Sequence, residues 1–222
     1  YVLIDSTALD DTASNSFAGI SSTTALSFTT IDTVDPTLSS SSPSDNATNV
    51  AVNANIVLTF SETVDTENGD IIIMKTSDDS TVETISVSSN QVTGNGFVPL
   101  GGGASGTVIT INPPTNFDSS TEYYVLIDPT AFDDTSSNSY TGINSTTALS
   151  FVTADTTNPT LSSSLPADDG LNVPIASNII LDFDENVDVE SGNITIKTTS
   201  NDSTFEIIDV TSSLVTGSGS SR

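Results

Sequence analysis

The chain has 222 residues, 29 of them Asp or Glu, three Lys or Arg, and none His or Cys, for a formal charge of −26 at pH 7. Lys75, Lys197 and Arg222 cannot assemble a basic patch, so nucleic acid and anionic membrane surfaces are excluded as partners. With no imidazole or thiol there is no Ser-His or Cys-His dyad, no soft-ligand metal site and no disulfide, which leaves carboxylate chemistry and hard, oxygen-seeking cations.

Charged residues make up only 14% of the chain and apolar residues 35%. Val, Ile, Leu, Phe and Thr fall in short alternating runs, a pattern of folded β structure and not of an acidic disordered tail. No apolar run approaches the roughly 18 residues of a membrane helix, so no membrane insertion is expected. The opening at Tyr1 reads as a cut inside a longer protein.

In chain order, the first run is Tyr1-Val2-Leu3-Ile4-Asp5, and it returns as Tyr124-Val125-Leu126-Ile127-Asp128, 123 residues later. The register then holds without a gap to the C-terminus. Leu26-Ser27-Phe28 meets Leu149-Ser150-Phe151, Pro36-Thr37-Leu38 meets Pro159-Thr160-Leu161, and Val92-Thr93-Gly94 meets Val215-Thr216-Gly217. This is one module in tandem. Short linkers containing Pro and Asp, at 30–36 and 153–159, set the boundaries: residues 1–34 are the C-terminal part of one module, 35–157 a complete module, and 158–222 the N-terminal part of a third.

Within the complete module, period-two alternation and turn residues predict seven strands, near 37–42, 55–60, 70–75, 82–87, 107–112, 122–127 and 148–153, with a short one at 91–94. No stretch carries helical spacing over three turns. The glycine-rich run at 101–106 reads as a flexible connection, because it lacks the strand-to-helix setting of a phosphate loop. The expected fold is all-β: tandem immunoglobulin-like antiparallel β-sandwich repeats.

Several segments together carry a family resemblance. They are Pro36-Thr37-Leu38, Ser42-Pro43-Ser44-Asp45-Asn46-Ala47-Thr48-Asn49-Val50, Asn55-Ile56-Val57-Leu58-Thr59-Phe60-Ser61-Glu62-Thr63-Val64, Tyr123-Tyr124-Val125, and Ala131-Phe132-Asp133-Asp134 with Asn138. The module resembles the bacterial SbsA-type Ig-like repeat of surface-layer proteins and large cell-surface adhesins. That resemblance implies an extracellular, cell-surface array, structural or adhesive and often calcium-dependent, whose partners are neighbouring repeats of the same protein.

In an immunoglobulin-like sandwich, the loop after the second strand and the loop before the last strand lie at the end where the chain enters. Here those segments are 61–65 and 128–142, and the incoming linker carries Asp32 and Asp35. Glu62, Asp65, Asp133 and Asp134 are therefore expected to converge with Asp32 and Asp35 into a Ca2+ site, since calcium takes six to eight oxygen ligands. The next copy repeats the set as Asp155, Asn158, Glu185 and Asp188, and Asp10, Asp11 and Asn15 match Asp133, Asp134 and Asn138 in the leading segment. For any one of these residues the alternative is ordinary turn chemistry, in which Asp or Asn caps its own backbone.

Tandem copies multiply length and not chemistry, so no enzyme is expected. A carboxylate glycosidase would need aromatic sugar platforms, and the chain has no Trp. Two alternatives remain beside the calcium-stiffened array. One is a calcium-dependent carbohydrate- or cell-binding module. The other is a self-associating filament in which residues 1–33 of one subunit complete residues 158–222 of another by strand addition, although the equivalent of 100–123 is then missing.

Overall fold

The computed structural model describes residues 1–96, 103–217, 219 and 221. It divides into two compact units, Tyr1–Asp155 and Thr156–Arg222. The first contains β1 (Leu38–Ser42), β2 (Ala47–Val50), β3 (Ile56–Thr66), β4 (Asp70–Lys75), β5 (Thr81–Ser86), β6 (Val92–Gly94), β7 (Ser105–Ile111), β8 (Glu122–Ile127), β9 (Phe132–Asp134) and β10 (Ser150–Thr153).

Two sheets form the expected sandwich. One runs β1-β3-β7-β6, with β9 also on β3, and the other runs β2-β10-β8-β4-β5. All the pairings are antiparallel except β2 with β10, which is parallel. Alternate residues turn inward: Ile56, Leu58 and Phe60 on β3, Ile71 and Ile73 on β4, Ile109 and Ile111 on β7, and Tyr123, Val125 and Ile127 on β8 are all buried in one apolar core.

The core carries an aromatic trio at each of two places. Phe117, Tyr123 and Phe151 form one, with centroids 4.8, 5.3 and 5.8 Å apart. Phe60 forms the other with Phe132 at 5.3 Å and Tyr140 at 5.2 Å. Such tilted and edge-on contacts suit the ring quadrupoles. The second trio ties β3 to β9 and to the chain that follows it.

Three expectations need correction. Residues 61–65 are not a loop, because β3 runs on to Thr66. The extension has partners on both edges: Val64, Asp65 and Thr66 pair with Asp134, Asp133 and Phe132 of β9, while Val64 and Asp65 also pair with Gly106 and Ser105 of β7. β1 and β9 thus share one edge of β3 in succession. The strands β2 and β9 have four and three residues, too few to show alternation in the sequence. Of the glycine-rich run, Gly101 and Gly102 lie outside the described residues, and Ser105 and Gly106 already belong to β7.

The second unit holds β11 (Leu161–Leu165), paired with β12 (Ile180–Phe183), and β13 (Asn193–Lys197), paired with β14 (Thr204–Asp209). These are the repeat equivalents of β1 with β3 and of β4 with β5. Their large side chains stay exposed, Leu161, Leu165, Ile179, Phe205 and Ile207 among them.

Phe132 is fully buried at the heart of the second aromatic trio. Phe132→Ala is expected to lower the unfolding free energy of the complete module by about 3–5 kcal/mol, and Phe132→Leu, the residue the leading copy carries as Leu9, by less than half as much. Denaturant unfolding followed by tyrosine fluorescence checks both.

Candidate cation site at the entry to the complete module

Three carboxylates meet where the linker reaches the sandwich. One oxygen each from Asp32, Glu62 and Asp134 lie within 4.8 Å of one another. Glu62 is carried by the extended part of β3 and Asp134 ends β9, so the β3–β9 ladder sets their separation. Asp32 arrives from the linker, where its Oδ1 accepts the Val34 N–H at 3.0 Å and so turns the chain on itself.

Asp134 is the fixed member. It is 4% exposed. Its Oδ1 accepts the N–H groups of Ser136 and Asn138, both at 2.8 Å, and its Oδ2 accepts the Asn138 side-chain amide at 2.8 Å. The loop returns to the strand through the Asp134 N–H donating to the Asn138 carbonyl at 2.9 Å, with Ser137 at φ 67°. The same Asn138 amide also reaches the Asp32 carbonyl at 3.4 Å, and so links loop to linker.

The electrostatics follow from this arrangement. Donation by the Asn138 side chain, joined by the backbone N–H groups of Asn138 and Ser136, holds the Asp134 carboxyl below the ordinary aspartate range, against a smaller opposing effect of burial. Glu62 moves the other way: loss of solvent raises it, and the neighbouring charges of Asp32 and Asp134 raise it further. Neither lysine relieves this repulsion, since Lys75 pairs with Asp118 at 2.6 Å and Lys197 with Asp202 at 3.1 Å.

The other expected ligands are distributed around this group. Asp65 and Asp133 face each other across the ladder. Asp65 Oδ1 is buried without a hydrogen-bond partner, and its carboxyl is raised by burial and then by the charges of Asp133 and Asp134. Asp35 is exposed in the linker and lies outside the three-carboxylate group. In the next copy, Asp155 closes the first unit and accepts the Ser119 hydroxyl at 3.0 Å, while Asn158 precedes β11 and Glu185 and Asp188 follow β12 in the second unit. Among the described residues, Asp32, Glu62 and Asp134 are the acidic residues close enough together to share an ion.

Asn138 has a larger part than the sequence reading gave it. The signal is present twice, however: Asp11 accepts the N–H groups of Ala13 and Asn15 and the Asn15 side-chain amide, at 2.9, 2.8 and 2.8 Å. An Asp with Asn four residues on, kept in both copies, marks the braced loop.

The sequence model of the bacterial Ig-like domain matches residues 32–153 and again 155–220. No curated protein matches the chain. Among solved structures, the crystal structure of the S-layer protein rSbsC(31-844) is similar at 14% identity and a TM-score of 0.33, over 84% of this chain. The chain spans 25% of that protein's length.

The opposed shifts give a signed pH dependence. With divalent cations chelated, the folded state holds the Glu62 proton more tightly than the unfolded state does, so stability is expected to rise as pH falls from 7 toward the ordinary glutamate value of 4.5. At still lower pH, protonation of Asp134 removes a native carboxylate that Asn138 braces, and stability falls. Thermal melts of the wild type and Glu62→Gln across this range test the assignment: the variant should show a smaller rise, the remainder coming from the similarly raised Asp65, and keep the fall.

Proposed function

Because the chain belongs to the bacterial Ig-like domain family, we propose that it is a segment of a structural repeat array at the bacterial cell surface, its module junctions stiffened by bound calcium. The single observation that carries this reading is the convergence of Asp32 from the linker with Glu62 and Asp134 from the module body. The donor set is all oxygen and all anionic, which suits a hard cation. Asp134 spends three of its roughly four lone-pair directions on the loop, which leaves about one for a cation. A site with few protein ligands and open flanks completes its shell with water, and that flexible geometry favours calcium over magnesium.

The consequence is mechanical. A linker free of the module lets neighbouring modules swing, whereas an ion held jointly by Asp32, Glu62 and Asp134 fixes the angle at which the linker leaves. Fifteen or so carboxylates per module also repel one another, and occupancy of junction sites lowers the charge where modules come closest.

Small-angle scattering of the whole chain is expected to show a longer, less flexible particle in calcium than in chelator. Double replacement Asp32→Asn with Glu62→Gln should leave the chelator profile in both conditions, and a wild-type profile indifferent to calcium would overturn the reading. Asn138→Ala, which removes the brace on Asp134 without touching a ligand, is expected to weaken calcium binding by about 10–100-fold in a calorimetric titration.

A further inference from the structure

We propose that Asn68 is a site of spontaneous covalent modification: its side-chain amide cyclises onto the backbone nitrogen of Gly69, and hydrolysis leaves aspartate or isoaspartate in the connection between β3 and β4. This goes beyond the calcium reading and does not rest on it.

The chain holds two Asn-Gly pairs, Asn68-Gly69 and Asn95-Gly96. Glycine obstructs such a cyclisation least, because it puts no Cβ beside the attacking nitrogen. Both asparagines are exposed, so exposure does not separate them. Hydrogen bonding does.

At Asn95 both reacting groups are engaged. Its Oδ1 accepts the Val108 N–H at 3.0 Å, and its Nδ2 reaches the Thr107 hydroxyl at 3.5 Å. The Gly96 N–H, whose nitrogen would have to attack, donates to the Ser105 carbonyl at 2.6 Å. The pair extends the β6–β7 ladder and must open locally before it reacts. At Asn68 neither group is engaged: among the described residues, its side chain and the Gly69 N–H make no hydrogen bond. The neighbouring backbone is held instead. The Asn68 N–H donates to the Thr130 carbonyl at 3.1 Å, the Gly69 carbonyl accepts the Val87 N–H at 3.1 Å, and the Asp70 N–H donates to Asp128 Oδ2 at 2.9 Å.

Packing accounts for the glycine. Gly69 has φ 140°, and a Cβ there would lie 2.9 Å from the Asp128 Cβ. A side chain is therefore excluded at 69, whatever residue precedes it. The next copy keeps this backbone, with Gly192 at φ 133°, but has Ser191 before it. Geometry thus fixes the glycine, and Asn68 is what makes this copy reactive.

The Gly69 nitrogen gives up its proton to solvent base and attacks Asn68 Cγ. The N–Cγ bond forms, the Cγ–Nδ2 bond breaks, and ammonia leaves with a proton from solvent. Water then opens the cyclic imide. Cleavage at Cγ–N gives aspartate, and cleavage at the main-chain carbonyl gives isoaspartate. No electrons are transferred, and water is the co-reactant. Either product places a new carboxylate between Glu67 and Asp70. Isoaspartate also adds one carbon to the backbone between the attachments to Thr130 and Asp128, just before β9, and so loads the ladder that carries Asp134.

Incubation of the whole chain in warm, mildly alkaline buffer, followed by tryptic mass mapping, tests the proposal. Trypsin cuts after Lys75, which puts Asn68 and Asn95 on separate peptides. In the folded chain Asn68 is expected to convert about tenfold faster than Asn95, where two hydrogen bonds must first open. In denaturant the two rates should converge, because the pairs are then chemically alike. Asn68→Ser, the residue of the next copy, should remove the fast conversion from the peptide 1–75 while the module melts as before. An Asn68 that stays intact in the folded chain, an Asn95 that converts as fast, a difference undiminished in denaturant, or a fast conversion that survives Asn68→Ser would each overturn the proposal.

Discussion

Three residues of β9, paired with the last three of β3, hold together the end of the module where the chain enters. The ladder of Val64 with Asp134, Asp65 with Asp133 and Thr66 with Phe132 does three things at once. It turns Phe132 into the core against Phe60, and Tyr140 then closes over Phe60 from the following chain. It sets Asp134 beside Glu62. It also places two like charges, Asp65 and Asp133, directly opposite each other, an arrangement that destabilises a ladder. A strand of three residues does not hold against that repulsion by its own hydrogen bonds. The aromatic trio supplies the stabilisation, and the acidic group above it exists because the apolar contacts below fix the backbone.

This arrangement gives the charge of −26 a different meaning at different places. Several carboxylates are held by donors of their own: Asp209 accepts from Thr211 and Asp78 from Ser80, each two residues on, and Asp184 accepts from Thr160 just before the facing strand β11, and in each the hydrogen bond to the side chain is the larger cause of a lowered pKa. Those acids are stabilised locally as anions. Glu62 and Asp65 are not, because burial raises both and neighbouring acids raise them further. The frustrated acids therefore gather where β3, β9 and the linker meet, beside the braced Asp134.

The sequence carried the repeat, the sandwich and most strand positions, because alternation over six or more residues is a local signal. Ile71, Ile73, Tyr123, Val125 and Ile127 announce their strands without help from the rest of the chain. β9 gave no such signal. Phe132-Asp133-Asp134 reads as loop, and becomes strand because β3 offers an edge beyond the end of β1. For the same reason Glu62 and Asp65 looked like loop residues although they lie on a strand. The convergence of Asp32, Glu62 and Asp134 was legible from sandwich topology, which fixes which loops share an end. Leaving Asp35 out of the group was not, since linker conformation depends on the Val34 turn onto Asp32.

The two copies of the braced loop separate what is local from what is tertiary. Asp11 with Ala13 and Asn15 reproduces the Asp134 loop nearly bond for bond, with its carboxyl lowered likewise, in residues 1–34, where no strand pairs beside it as β3 does beside β9 among the described residues. The loop therefore forms from its own residues. The acidic group does not, because it needs Glu62 from a strand seventy residues away and Asp32 from the preceding linker. A module thus carries a preformed anion on a rigid loop wherever that loop is present, and gains its neighbours only when a complete sandwich and an incoming linker are in place. Under the proposed reading, cation affinity would be a property of finished junctions, and an occupied joint would report that the module beneath it has folded.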